Sequence, residues 1–152
     1  MPSFKDIQDA HERIRPFIHR TPVLTNSSLN KLSRAEFYFK CENFQKTGSF
    51  KIRGATNTVL QLSQEELDRG IVTASSGNHG AALSMAVSNR GGNTTVVMPN
   101  NTPKMKVHNV ERNGGKVVWC EPVQESREKV LQELIDETGA VLVHPYNDER
   151  II

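Results

Sequence analysis

Ile71-Val72-Thr73-Ala74-Ser75-Ser76-Gly77-Asn78-His79-Gly80 decides the fold, because a β-branched run passes without a break into a small-residue loop and then into the alanine-rich stretch Ala81 to Ala86. That is the order of a strand, a loop and a crossover helix. Three more runs of the same character follow, Thr94 to Met98, Lys116 to Cys120 and Ala140 to Val143, roughly 24 residues apart. The helical stretches Gly80 to Arg90, Pro103 to Asn113 and Val123 to Glu137 fill the intervals. Gly91-Gly92 and Gly114-Gly115 stop helices, and Pro103 suits a first turn. The pattern predicts an α/β fold of four parallel strands with helices on both faces.

In an open parallel sheet, ligands bind beyond the carboxyl ends of the strands, and Ser75 to Gly80 occupies that edge. Free N–H groups at the following helix start favour an anion. Gly77 and Gly80 are expected to allow close approach or positive φ, with Ser75, Ser76 and Asn78 as side-chain donors. The plainer alternative is a well-capped helix with an Asx turn. Neither a Walker loop nor Gly-x-Gly-x-x-Gly is present.

Upstream, Ile7 to Ile14 reads as a short amphipathic helix closed by Pro16. His19 to Thr25 is extended, Ser27 and Ser28 are cap candidates for a brief helix through Leu32, and Phe37 to Cys41 is a strand. In Asn43 to Ala55, Thr47-Gly48-Ser49 reads as a turn and N-cap before a helix running to Leu62. Lys51 then lies in the first turn, between Phe50 and Ile52. The macrodipole and apolar neighbours there favour a neutral, nucleophilic amine suited to a carbonyl group. Its plainer alternative is a surface lysine whose stem covers apolar atoms. Ser63-Gln64-Glu65-Glu66 matches a capping box for a second short helix, ended by Gly70.

A chain of 152 residues with 36% hydrophobic and 24% charged residues and net charge +2 suits a globular protein, without a nucleic-acid or membrane footprint. Cys41 and Cys120 lack disulfide or zinc spacing, which fits a reducing, cytoplasmic location. No stretch reaches the roughly 18 apolar residues of a membrane span.

Phe50-Lys51, followed by Ser75-Ser76-Gly77-Asn78-His79-Gly80, resembles the fold type II pyridoxal-phosphate enzymes, which include tryptophan synthase β and the serine/threonine dehydratases. Thr21 to Thr25, Lys40-Cys41-Glu42, Phe44 to Ala55, Cys120-Glu121-Pro122 and Glu125 to Glu128 look like the branch that racemises and dehydrates serine. The resemblance covers nearly the whole chain. It implies that residues 1–69 belong to the large cofactor domain and residues 70–152 form the small parallel α/β domain.

The resemblance further implies that Lys51 holds pyridoxal phosphate as a Schiff base and that Ser76 is the base on the opposite face. Phe50 and Asn78 would contact the cofactor, and Ser75, Ser76, Asn78, His79 and Arg127 the substrate carboxylate. Arg127 has the alternative of pairing with Glu125 or Glu128 on a solvated helix. An ATP site would map to Asn26, Ser27, Ser28, Lys46 and Thr47, where Asn26 and Ser28 depart from the usual residues. Ala81 and Asn113 stand where a glutamine and an interface tyrosine are expected. Full-length members imply a homodimer, with ATP and Mg ions.

The sequence stops at Ile151-Ile152, before the family's glycine loop for the cofactor phosphate, its metal ligands and the residue facing the pyridine nitrogen. No metal site is expected here. The expectation is a fragment of an enzyme acting on serine, alternatively on threonine, or else a truncated, inactive paralogue that binds a partner.

Overall fold

The structure is a computed structural model and describes residues 2–152. Helix α1 (Phe4–Ile14) opens on a capping box: Ser3 Oγ accepts from Asp6 N–H, and Asp6 accepts from Ser3 N–H at 2.7 Å. Pro16 turns its end into a short 3₁₀ turn, Arg15–Phe17. Strands β1 (Val23–Leu24) and β2 (Phe39–Lys40) pair antiparallel, and α2 (Ser27–Ser33) lies between them in sequence. Asn26, one residue before the expected serines, caps α2 by accepting from Leu29 N–H at 2.9 Å.

Helix α3 (Lys51–Leu60) is followed by α4 (Gln64–Asp68), whose Ser63–Glu66 capping box forms as the sequence predicts. The repeated unit then gives β3 (Ile71–Ala74), α5 (Asn78–Ser88), β4 (Thr94–Pro99), α6 (Lys104–Glu111), β5 (Gly115–Cys120), α7 (Gln124–Thr138) and β6 (Val141–Leu142). All four strands are parallel, in the order β5-β4-β3-β6, with Ile71 beside both Thr94 and Val141. Strand β6 is shorter than its apolar run, pairing with β3 through two residues. Helix α5 starts two residues earlier than expected.

From β3 the chain adds β4 and then β5 on one side, and only afterwards returns to place β6 on the other. The connections therefore diverge between β3 and β6, opening a crevice beyond their carboxyl ends. Alternation sends Val96 and Met98 of β4 into a buried cluster with Ala81 and Val110, while Val97 faces the side covered by α7. A larger core joins Ile52, Ala55 and Val59 of α3 to Leu83 and Val87 of α5, so α5 is sandwiched between α3 and the sheet. Gly80 permits a close approach of α5 to the sheet, since a Cβ there would lie 2.9 Å from Val96 Cγ1.

Gly54 has a comparable role on the outer side of α3, where a Cβ would run into the carbonyl oxygen of Ile151. Glycine to alanine inside a helix ordinarily stabilises by about 1 kcal/mol. Here the sign reverses: Gly54→Ala is expected to destabilise by about 1 to 3 kcal/mol through overpacking, measured by urea unfolding. Unchanged or increased stability would show that residues 148–152 do not rest on α3.

Candidate active site

Thr47 (φ 61) and Gly48 (φ 76) turn the chain in the left-handed region before α3, and Ser49 is extended. The sequence predicts Thr47 to Ser49 as turn and cap, yet α3 has no side-chain cap: Phe50 already has helical backbone angles, and the buried Ser49 hydroxyl has no partner. Lys51, half-buried as the first residue of α3, donates from Nζ to the Pro145 carbonyl at 2.8 Å. The ammonium lies 5.3 Å from the ring centroid of Phe50, which is itself 57% exposed. The carbonyl and the ring face offset the poor placement of a cation at a helix N-terminus. An open cavity of about 470 Å³ borders Phe50, Lys51, Tyr146 and Ile151.

The first turn of α3 is anchored from behind. Arg53 donates through Nε and Nη2 to both oxygens of Glu42, at 2.8 and 2.7 Å, and Thr21 Oγ1 donates to the same carboxylate at 2.5 Å. Arg53, and secondarily Thr21, hold the Glu42 carboxyl below its ordinary range. Sequence reasoning misses this anchor, because nothing in residue spacing pairs positions 42 and 53.

In the loop after β3, Ser75 Oγ accepts from the N–H groups of Gly77 (3.3 Å) and Gly80 (3.1 Å), so its oxygen is turned inward. Gly77 is extended at φ −173 and Gly80 lies within α5, so neither uses positive φ. Ser76 and Asn78 are exposed, and among the described residues their side chains and the N–H groups of Ser76, Asn78 and His79 have no protein partner. These N–H groups at the start of α5 can receive an anion.

His79 points the other way. It is 3% exposed, its Nε2 donates to the Val143 carbonyl at 3.4 Å, and its Nδ1 has no partner. Burial pushes its pKa down to about 4, helped by the nearby charges of Lys51 and His144, so the ring is neutral. What His79 offers the loop is its backbone N–H.

Across the crevice, Arg127 on α7 borders a cavity of about 180 Å³ with Ala74, His144, Pro145 and Tyr146. Its Nε is buried without a partner, and no ion pair with Glu125 or Glu128 exists among the described residues. Glu128 instead accepts from Gln124 at 2.7 Å. The structure thus brings Lys51, Phe50, the Ser75 to Gly80 loop and Arg127 around the carboxyl ends of β3 and β6. It does not join Asn26, Ser27 and Ser28 to Lys46 and Thr47 by any hydrogen bond among the described residues; Asn26 spends its side-chain oxygen on α2. Among those residues there is no cluster of three or more metal-binding side chains, and no helix is long and apolar enough to cross a membrane.

The family model of pyridoxal-phosphate dependent enzymes matches residues 14–152. The chain is 55% identical over 146 residues to a serine racemase of Arabidopsis thaliana, covering 96% of this chain and 44% of that protein. It is 48% identical over 152 residues to a β-hydroxyaspartate dehydratase of Paracoccus denitrificans, covering 100% of this chain and 48% of that protein. The solved structure of maize serine racemase superposes with a TM-score of 0.95 at 44% identity, over 98% of this chain and 45% of that one. A solved bacterial threonine deaminase gives a TM-score of 0.90 at 38% identity, over 99% of this chain and 47% of that one. The chain therefore spans about half the length of the relatives it matches.

The His79 environment fixes a pH dependence. A histidine titrating near 6.5 when unfolded and at about 4 when folded leaves stability intact above pH 6.5, and costs about 3 kcal/mol as pH falls from 6.5 to 4. His79→Gln, neutral throughout, is expected to flatten that part of the curve in urea unfolding at pH 7.5, 6 and 5. Equal slopes in the two proteins would contradict a buried neutral ring.

Proposed function

The chain belongs to the pyridoxal-phosphate dependent enzyme family, and from that premise we propose that it carries the lysine and substrate-side half of an amino-acid racemase and dehydratase acting on serine. The observation that supports this most is Lys51 itself, an ammonium bound to one carbonyl, flanked by the Phe50 ring and open to a cavity. That environment fits the cofactor: Lys51 would hold it, Phe50 would pack against its ring and Asn78 would donate to its ring oxygen. When bound, pyridoxal phosphate supplies an electron sink for the bond electrons released at the substrate α-carbon.

The remaining work falls to the protein. The N–H groups of Ser76, Asn78 and His79, with the Ser75 and Ser76 hydroxyls, orient the α-carboxylate, and Arg127 adds a bidentate donor from α7. Lys51 Nζ takes the α-proton from one face and Ser76 Oγ serves the other. Racemisation needs proton exchange on both faces, whereas dehydration needs one face and the loss of the β-hydroxyl. The division into residues 1–69 and 70–152, a homodimer, a cytoplasmic location and an ATP site at Asn26 to Ser28 with Lys46 and Thr47 belong to the same proposal. A second reading, dehydration of a β-hydroxy dicarboxylic amino acid, draws on the dehydratase relative that matches along the whole chain.

Adding pyridoxal phosphate to the purified chain is expected to give a visible absorption band that Lys51→Ala abolishes; a wild-type chain without a band would overturn the reading for this chain. With cofactor bound, Ser76→Ala is expected to cut D-serine formation by about 10²-fold or more while pyruvate formation falls far less. Parallel loss of both products would remove Ser76 from the second-face role.

A further inference from the structure

The turn that delivers the chain into α3 carries two destabilising features at one residue. Gly48 N–H donates to the Gln45 carbonyl at 2.9 Å, closing a four-residue turn whose third residue is Thr47, at φ 61 and ψ 6. Positive φ at that position calls for glycine or asparagine, and a β-branched residue is strained there. Arg34, the other non-glycine residue at positive φ among the described residues, ends helix α2. Thr47 Oγ1 is also buried without a partner, as is Ser49 Oγ two residues later. A buried hydroxyl left unpaired destabilises the fold. Gly48 shows what the backbone requires: it takes φ 76, and nothing lies within 4 Å of where its Cβ would be. A glycine at position 47 would remove both features.

What threonine supplies in return is restriction. Its branched Cβ leaves few backbone states open, whereas two adjacent glycines would populate both hands of φ about equally. The turn starts from a fixed point, because Gln45 is buried and its Oε1 accepts from the N–H groups of His19 and Lys46, at 2.8 and 2.9 Å. Like α3 itself, the turn packs on α5. It leads within a few residues to Lys51, whose Nζ meets the Pro145 carbonyl at 2.8 Å. A rotation at 47 or 48 swings the start of α3 and takes the ammonium off that acceptor. We propose, resting on the reading of Lys51 above, that Thr47 is a positioning residue: its branched side chain confines the turn to one left-handed arrangement, which aims Lys51 at Pro145 while lowering the stability of the chain. Strain persists at functional positions where the surrounding structure over-determines it, as Gln45 and α5 do here. An ordinary structural residue supports fold and site together, whereas Thr47 sets the two against each other.

Two variants of the full chain, each measured twice without cofactor, test this. Stability is read as the urea midpoint. The placement of Lys51 is read by competitive acetylation with acetic anhydride, its rate taken by mass spectrometry relative to the exposed Lys129. Thr47→Gly is expected to raise the midpoint, because relief of strain and removal of the unpaired hydroxyl outweigh the freedom that glycine adds to the unfolded chain. The same variant should acetylate Lys51 at least about threefold faster, the effect of one lost hydrogen bond to the ammonium. Thr47→Val keeps the branch and drops the hydroxyl, so the midpoint should again rise while the Lys51 rate stays within about 1.5-fold of the wild type. A midpoint that fails to rise in either variant, a Lys51 rate in Thr47→Gly that is not faster, or a rate in Thr47→Val that rises with it would overturn the proposal. A missing absorption band with pyridoxal phosphate bears on the preceding reading alone, because acetylation reports the lysine without the cofactor.

Discussion

The hydrogen bond from Lys51 Nζ to the Pro145 carbonyl joins residues 94 apart in sequence, and the geometry of the site depends on it. It ties the start of α3 to the segment that leaves β6, on the edge of the crevice that the strand order opens. The same segment is fixed from below: the Val143 carbonyl accepts from Thr73 Oγ1 at 2.7 Å as well as from His79 Nε2, and His144 Nδ1 accepts from Asn147 N–H at 2.9 Å. Residues 143–147 are therefore a hub that sets the lysine against β3 and its loop. Because the acceptor is a main-chain carbonyl, the lysine is oriented without a carboxylate beside it to hold it as an ion pair.

That absence extends around the crevice. Lys51 and Arg127 border it from α3 and α7, and neither is paired with an acid among the described residues. Unpaired cations near a low-dielectric wall raise the local potential and draw anions to it. His79 feels this field from inside the core, where burial and the nearby positive charge act in the same direction and keep the ring neutral. The site thus separates two kinds of nitrogen: half-buried, unpaired cations and free N–H groups at the crevice, and a neutral imidazole toward the core.

The parallel sheet was legible because its strands are continuous β-branched runs broken by glycine-marked helix ends, and Gly91, Gly114 and Gly139 do take positive φ. The position of the loop at a carboxyl end followed from that order alone. Strand order did not, since which side β6 joins depends on where α7 packs rather than on any residue in β6. The close approach expected of the loop glycines holds at Gly80, whereas positive φ, the other use expected of them, occurs at neither Gly77 nor Gly80. A sequence shows that a side chain is missing, whereas the cause lies in the neighbour, Val96 Cγ1 against Gly80. Pro145 escaped notice because a backbone carbonyl carries no residue-type signal.

The N-terminal elements show why the lysine helix needs the Glu42–Arg53 pair. Strands β1 and β2 are two residues each and exposed throughout, with Phe37, Phe39 and Phe44 at the surface, so apolar burial does little to place them. Polar contacts do it instead. Gln45, 4% exposed, brackets His19 by accepting from its N–H and donating to its carbonyl, both at 2.8 Å, and Lys40 Nζ donates to the Thr21 carbonyl at 2.6 Å. Glu42 collects Thr21 and Arg53 into the same network, which ends two residues from Lys51. Hydrogen bonds are directional where apolar contact is not, so this arrangement fixes the rotation of the first turn of α3. The buried face of α3, Ile52, Ala55 and Val59, then fixes its height over α5, and the two constraints together leave the Lys51 side chain one direction in which to point, toward Pro145.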